Sequence, residues 1–174
     1  DSESALIDFK RAALIDPENP YILNSLAQAY SESGQLQLAE EVFSKALLQE
    51  PDDIIILRNR GVNRVRLENF DDAIFDLNAA IQISPENDRQ YYFRALAFYH
   101  LEDVEKALSD VNTAIQLNSV SPHLYLLKGM CYDFLDEYSK AIDEFTTCIS
   151  LDEKNEEAYH HRAWALLSEG NKDA

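Results

Sequence analysis

LAEEVFSKALLQEPDD, residues 38–53, and DAIFDLNAAIQISPEN, residues 72–87, share one pattern. Each has an alanine, a bulky apolar residue four places on, a second alanine three later, and a proline five beyond that. In steps of 34 residues the first alanine recurs as Ala5, Ala39, Ala73, Ala107 and Ala141. The bulky residue recurs as Phe9, Phe43, Leu77, Val111 and Phe145, and the second small one as Ala12, Ala46, Ala80, Ala114 and Cys148. Twelve places before the alanine, from the second unit on, stand Ala27, Gly61, Ala95 and Gly129. Pro17, Pro51 and Pro85 close three units, with Ser119 and Glu153 in the other two. A fixed period of this length marks a repeat array.

Small residues at fixed places let two helices approach closely, and the large apolar residues fill the space between them. Each unit therefore reads as a helical hairpin. Its first helix begins after Asn19, Asp53, Asn87, Ser121 or Asn155, all residue types whose side-chain oxygen can cap orphan backbone N–H groups. Pro20 and Pro122 follow at the first helical position, where no N–H is missed. The inner turn falls near Gly34, Glu68–Asn69, Glu102–Asp103, Asp136–Glu137 and Gly170. The pattern predicts helices at 3–15, 20–33, 37–49, 54–67, 71–83, 88–101, 105–117, 122–135, 139–151 and 156–169.

These columns, with Leu23, Leu57, Tyr91, Tyr125 and Tyr159, closely resemble the tetratricopeptide repeat (TPR) family over the whole chain. The resemblance implies an all-α, right-handed superhelical solenoid of antiparallel helix hairpins. It divides residues 1–174 into the second helix of a partial repeat (1–19), full repeats at 20–53, 54–87, 88–121 and 122–155, and the first helix of another partial repeat (156–174). It further implies a non-enzymatic module that holds peptides or proteins in a concave groove lined by the first helices. Some family members grip the C-terminal carboxylates of heat-shock chaperones with Lys, Asn, Asn, Lys and Arg. The matching places here are Asn24, Gln28, Asn59, Arg89 and Phe93, of which only Asn59 and Arg89 fit.

The repeats also serve as their own mutation series. Leu26 is followed in register by Arg60, Arg94, Lys128 and Arg162. On the facing helix Val42 is followed by Asp76, Asp110 and Glu144. Apolar goes with apolar and cation with carboxylate, so Arg60–Asp76, Arg94–Asp110 and Lys128–Glu144 are expected as structural ion pairs inside each hairpin. Arg64 departs from its column, which holds Tyr30, Phe98, Tyr132 and Leu166 elsewhere.

YYFRALAFYH, residues 91–100, carries two apolar stripes where a surface helix needs one. Tyr91, Ala95 and Phe98 make the first, and Tyr92, Leu96 and Tyr99, with Phe93 beside them, the second. The second stripe is expected in the groove. By the same register the partner-binding candidates are Arg58, Asn59, Val62 and Arg66; Arg89, Tyr92, Phe93, Leu96 and Tyr99; Leu127, Met130 and Phe134; and Trp164. Tyr92, Leu96, Tyr99, Met130 and Phe134 should be partly exposed and contiguous. RNRGVNRVR, residues 58–66, holds four of the chain's eight arginines, and an arginine facing the groove can grip a carboxylate with two parallel hydrogen bonds. The expected ligand is therefore a protein segment with apolar anchors and an acidic group.

A net charge of −17 argues against nucleic acid and against an anionic membrane surface. No apolar run is long enough to insert in a membrane. Cys131 and Cys148 form no disulfide framework or metal motif and read as buried thiols of a reducing compartment, which favours the cytoplasm. Glu157, His160 and His161 share one helical turn, but no second Glu-x-x-His accompanies them, so neither metal nor cofactor is expected. With four glycines and no phosphate loop, no catalytic residue is assigned. Two alternatives accompany the peptide-binding reading. One is a structural scaffold that grows by head-to-tail stacking, because the helices at 3–15 and 156–169 each lack a hairpin mate. The other is a substrate-holding arm of a larger enzyme.

Overall fold

The structure, a computed structural model, describes residues 2–172. Among them are ten helices and no strand: α1 (Ser2–Ile15), α2 (Pro20–Glu32), α3 (Leu36–Gln49), α4 (Ile54–Arg66), α5 (Phe70–Ile83), α6 (Asp88–His100), α7 (Val104–Leu117), α8 (Pro122–Phe134), α9 (Tyr138–Leu151) and α10 (Glu156–Lys172). The fold is all-α, built of helical hairpins. Two compact units divide the chain, an N-unit ending at Pro85 and a C-unit beginning at Glu86.

In the N-unit, α2 pairs with α3 and α4 with α5, and α1 packs on α2. Its core joins Leu23, Ala27, Phe43 and Ala46 to Ile56, Leu57 and Ala80. In the C-unit, α6 pairs with α7 and α8 with α9, and α10 packs on α9. One core cluster there gathers Ala95, Ala107, Val111, Leu124 and Cys131, and another Ala141, Phe145, Cys148, Ala158 and Ala165. The small-residue columns act as expected. A Cβ added at Gly61 would lie 2.8 Å from Leu77 Cγ, and one at Gly129 would overlap the Phe145 ring.

Asn19, Asp53, Asn87 and Asn155 each accept backbone N–H groups at the start of their helices. Ser121, expected to do the same, makes no side-chain cap. Each hairpin turn places one residue in the left-handed region: Gly34 at φ 81°, Glu68 at 60°, Glu102 at 60° and Asp136 at 58°. The next residue's amide then closes onto the carbonyl five residues back, as in Gln35 to Tyr30 and Asp103 to Phe98, satisfying a helix-end acceptor. Gly170 makes no such turn, because α10 runs on past it to Lys172.

The three expected ion pairs are present. Arg60 binds both oxygens of Asp76 at 2.8 Å, Arg94 binds both oxygens of Asp110 at 2.7 and 2.6 Å, and Lys128 meets Glu144 at 2.7 Å. Arg94 also lies over the rings of Tyr91 and Phe98, so the first stripe of α6 shields its own ion pair. The apolar counterpart is intact, with Leu26 buried. Arg64 turns inward as well, bridging Glu40 at 2.9 Å and the same Asp76 at 2.8 Å.

Candidate interaction surface

The second stripe of α6 lies on the side of the C-unit shared with α8 and α10. Tyr92, Phe93, Leu96, Tyr99 and Met130 are half-buried, and Phe134 is 48% exposed. Ring contacts tie them together. Tyr92 meets Phe93 edge-on at 5.1 Å and approaches His123 at 6.4 Å, while Tyr99 meets Phe134 at 6.2 Å. Trp164, 58% exposed, lies against His160 on α10. Tyr92, Leu96 and Tyr99 also pack on the core beneath, and Met130 packs on the neighbouring cluster. Burial, and after it the negative charge of Glu157, pushes the Tyr92 phenol above its ordinary range.

Leu127 is a correction. Expected on the surface, it is 2% exposed and belongs to the core. Phe93, one repeat earlier in the same column, stays half-open. The column therefore does not by itself separate lining residues from packing residues.

At one end of this side the first turns of α6 and α8 enclose a cavity of about 390 Å³. Tyr92, Phe93 and Leu124 supply its apolar wall, Arg89 its cation and His123 an imidazole. Asn118 and Ser121 also line it and were not legible as site residues. Asn118 caps the end of α7 and donates to one oxygen of Asp88, which also lines the cavity, at 2.9 Å, and Arg89 beside it is exposed.

The N-unit candidates sit on α4. Asn59 donates to Asn24 at 3.1 Å, and Arg66 donates to the backbone and hydroxyl oxygens of Ser31 at 2.8 Å. Both therefore tie α4 to α2. Arg58 and Val62 are half-buried beside them. In the Glu157, His160 and His161 turn the two histidines are held by ring contacts, His161 stacking on Phe145 at 5.5 Å and meeting His160 edge-on at 5.9 Å, while Glu157 is exposed, 4.0 Å from His161. Among the described residues no group of three or more His, Cys, Asp or Glu is placed to hold a metal. No helix among them is long and apolar enough to cross a membrane.

A tetratricopeptide-repeat family model matches residues 1–58. The model for anaphase-promoting complex, cyclosome, subunit 3 matches residues 66–148. The chain belongs to the TPR family. Solved structures agree on the fold. A TPR protein from Parabacteroides merdae is 25% identical, with 98% of this chain and 68% of that one covered at a TM-score of 0.81. A MamA protein from Desulfovibrio magneticus RS-1 is 24% identical, with 89% and 88% covered at 0.80. A thermophilic TPR protein from Thermus thermophilus is 20% identical, with 95% and 91% covered at 0.78. No curated protein sequence matches this TPR chain. TPR arrays are in general protein-interaction scaffolds without catalytic activity, and this chain shares that architecture.

Proposed function

We propose that the C-unit holds a segment of a partner protein along the aromatic side of α6, α8 and α10. An apolar anchor of the segment enters the cavity beside Phe93, and an acidic group meets Arg89. The module is a binding scaffold and carries out no chemistry of its own. What supports this reading is the run of half-open rings from Phe93 through Tyr92 and from Tyr99 to Phe134, ending at a cavity with one open arginine. Half-exposed aromatics seat partners at low entropic cost, and arginine pairs with carboxylates in two-point geometry.

The test is the double substitution Arg89→Glu with Phe93→Ser. Tyr92 and Leu96 are poorer choices because both also pack on the core. Affinity capture from the native source is expected to retain a partner on the wild-type chain and lose it on the variant, with circular dichroism and melting unchanged. Equal retention by both chains overturns the reading.

A second reading, head-to-tail self-association, is favoured by one comparison. Leu23 and Leu57 are covered by the second helix of their hairpin, whereas Tyr159 and Leu166 on α10 are 44% and 51% exposed. Leu14 and Ile15 at the end of α1 stand open as well. Light scattering over a concentration series is expected to show growing chains, and a strictly monomeric species rules the reading out.

A further inference from the structure

The other side of the N-unit, formed by α3 and α5, carries a feature that the proposed site does not use. Two large apolar side chains project there into solvent, Leu48 at 79% exposure and Phe75 at 71%. In the repeat register the Leu48 position holds Leu14 in α1 but Gln82, Gln116 and Ser150 in the later repeats, and the Phe75 position holds Ile7 in α1 but Glu41, Ser109 and Asp143 elsewhere. All of these polar residues are exposed, so the hairpin needs nothing apolar at either place.

The two residues flank a cavity of about 670 Å³ between α3, the first turns of α4, and α5. Buried Leu47 and Leu57 form its floor. The cavity lies wholly within the N-unit. Isolated exposed apolar residues need no explanation, but two beside an apolar cavity form a patch of the kind that marks an interaction site.

The rim chooses the partner. Exposed Glu41 and Asp52 border the cavity, and exposed Asp71 lies one helical turn before Phe75 on the same face of α5. Lys45 is the cation that opposes them, because the other bordering cation, Arg60, is turned inward to Asp76 and Ser44. The rim is thus net acidic, on a chain of net charge −17. That field draws in a cationic partner and repels a second copy of this chain.

We propose that this face is a second docking surface, for a basic amphipathic helical segment of another protein that seats a bulky apolar side chain between Leu48 and Phe75. The mode is a helix laid in a groove, with apolar anchors giving affinity and flanking lysines or arginines meeting Glu41, Asp52 and Asp71.

The probe is a fluorescein-labelled amphipathic helical peptide with a central Trp and flanking Lys and Arg, compared with the same peptide carrying Glu in their place. Binding to the full chain is read by anisotropy. The basic peptide is expected to bind and to weaken with added salt, while the acidic one fails to bind. Leu48→Gln with Phe75→Ser, which copies residues found at the same places in other repeats, is expected to weaken binding at least about tenfold. Arg89→Glu with Phe93→Ser is expected to leave it unchanged, which separates this surface from the one on the C-unit. Failure of the basic peptide to bind, equal binding by the acidic peptide, or equal binding to the Leu48/Phe75 variant overturns the proposal. So does a wild-type chain that sediments as a dimer and becomes monomeric in that variant, because the face would then be a self-interface.

Discussion

Asp76→Ala is the most informative single perturbation of the fold. The carboxylate is fully buried and accepts three charge-assisted hydrogen bonds, two from Arg60 and one from Arg64, each at 2.8 Å. Both arginine side chains are only 13–14% exposed, so water does little to replace the lost acceptor. Burial by itself disfavours the Arg60 cation, but the Asp76 bond and the charges of Asp76, Glu40 and Asp72 outweigh it and raise its pKa. Removing one partner of a buried pair costs about 3–5 kcal/mol. Arg64 keeps Glu40 at 2.9 Å and Arg60 keeps Ser44 at 3.1 Å, which places the expected loss near the middle, at about 4 kcal/mol. For a chain of this size that is a fall of about 8–16 °C in melting temperature. Urea unfolding followed by far-ultraviolet circular dichroism measures it, with Asp110→Ala as the comparison. Asp110 serves a single arginine, so its loss is expected to be smaller. The repeat at 20–53 supplies the rescue, because it uses Leu26, Tyr30 and Val42 at the corresponding places. The triple change Arg60→Leu, Arg64→Tyr and Asp76→Val is expected to recover most of the stability, as apolar replacements of buried ion pairs often do. A loss below about 1 kcal/mol for Asp76→Ala, or a triple variant less stable than the single one, refutes the reasoning.

Gly129→Ala is expected to destabilise by about 1–3 kcal/mol in urea unfolding, because the added Cβ overlaps the buried Phe145 ring. Gln90 is fully buried with neither end of its amide hydrogen-bonded, at a position that holds Ile22, Ile56, Leu124 and Ala158 in the other units. Gln90→Leu is expected to raise stability by about 1–3 kcal/mol, and a lower urea midpoint would contradict this. Burial pushes the Cys131 thiol up to about 12 and is the main cause that raises Cys148 to about 11, from an ordinary 9.0. A disulfide-exchange reagent at pH 8 is therefore expected to label neither thiol until urea is added. Because these folded-state values lie above the unfolded ones, the thiols' contribution to stability is intact below about pH 9 and declines as pH rises toward 11–12. A melting temperature lower at pH 10 than at pH 7 checks the sign.

The elements were legible because each hairpin is specified by residues near one another in the chain. Ala39, Phe43 and Ala46 lie along one helix face, and Asn19, Asp53 and Asn87 act on amides two or three residues away. The Arg60–Asp76 and Arg94–Asp110 pairs, 16 residues apart, could be read because the repeats vary both partners together. What stayed hidden depended on which neighbouring element approaches from outside. Arg64 stands in an aromatic column, and it turns inward between Asp76 on α5 of its own hairpin and Glu40 on α3, a helix of another. Phe93 and Leu127 hold the same place in successive repeats, yet one is half-open and the other closed over, because coverage comes from helices the column does not encode. Gly170 has the residue type of a turn, but α10 continues through it, since a glycine permits the left-handed bend without requiring it. The cavity beside Leu48 and Phe75 is a gap left between α3 and α5 once both have packed on α4. A 34-residue period records what a hairpin needs in order to close on itself, whereas the space left outside each hairpin is set only when neighbouring helices come together in three dimensions.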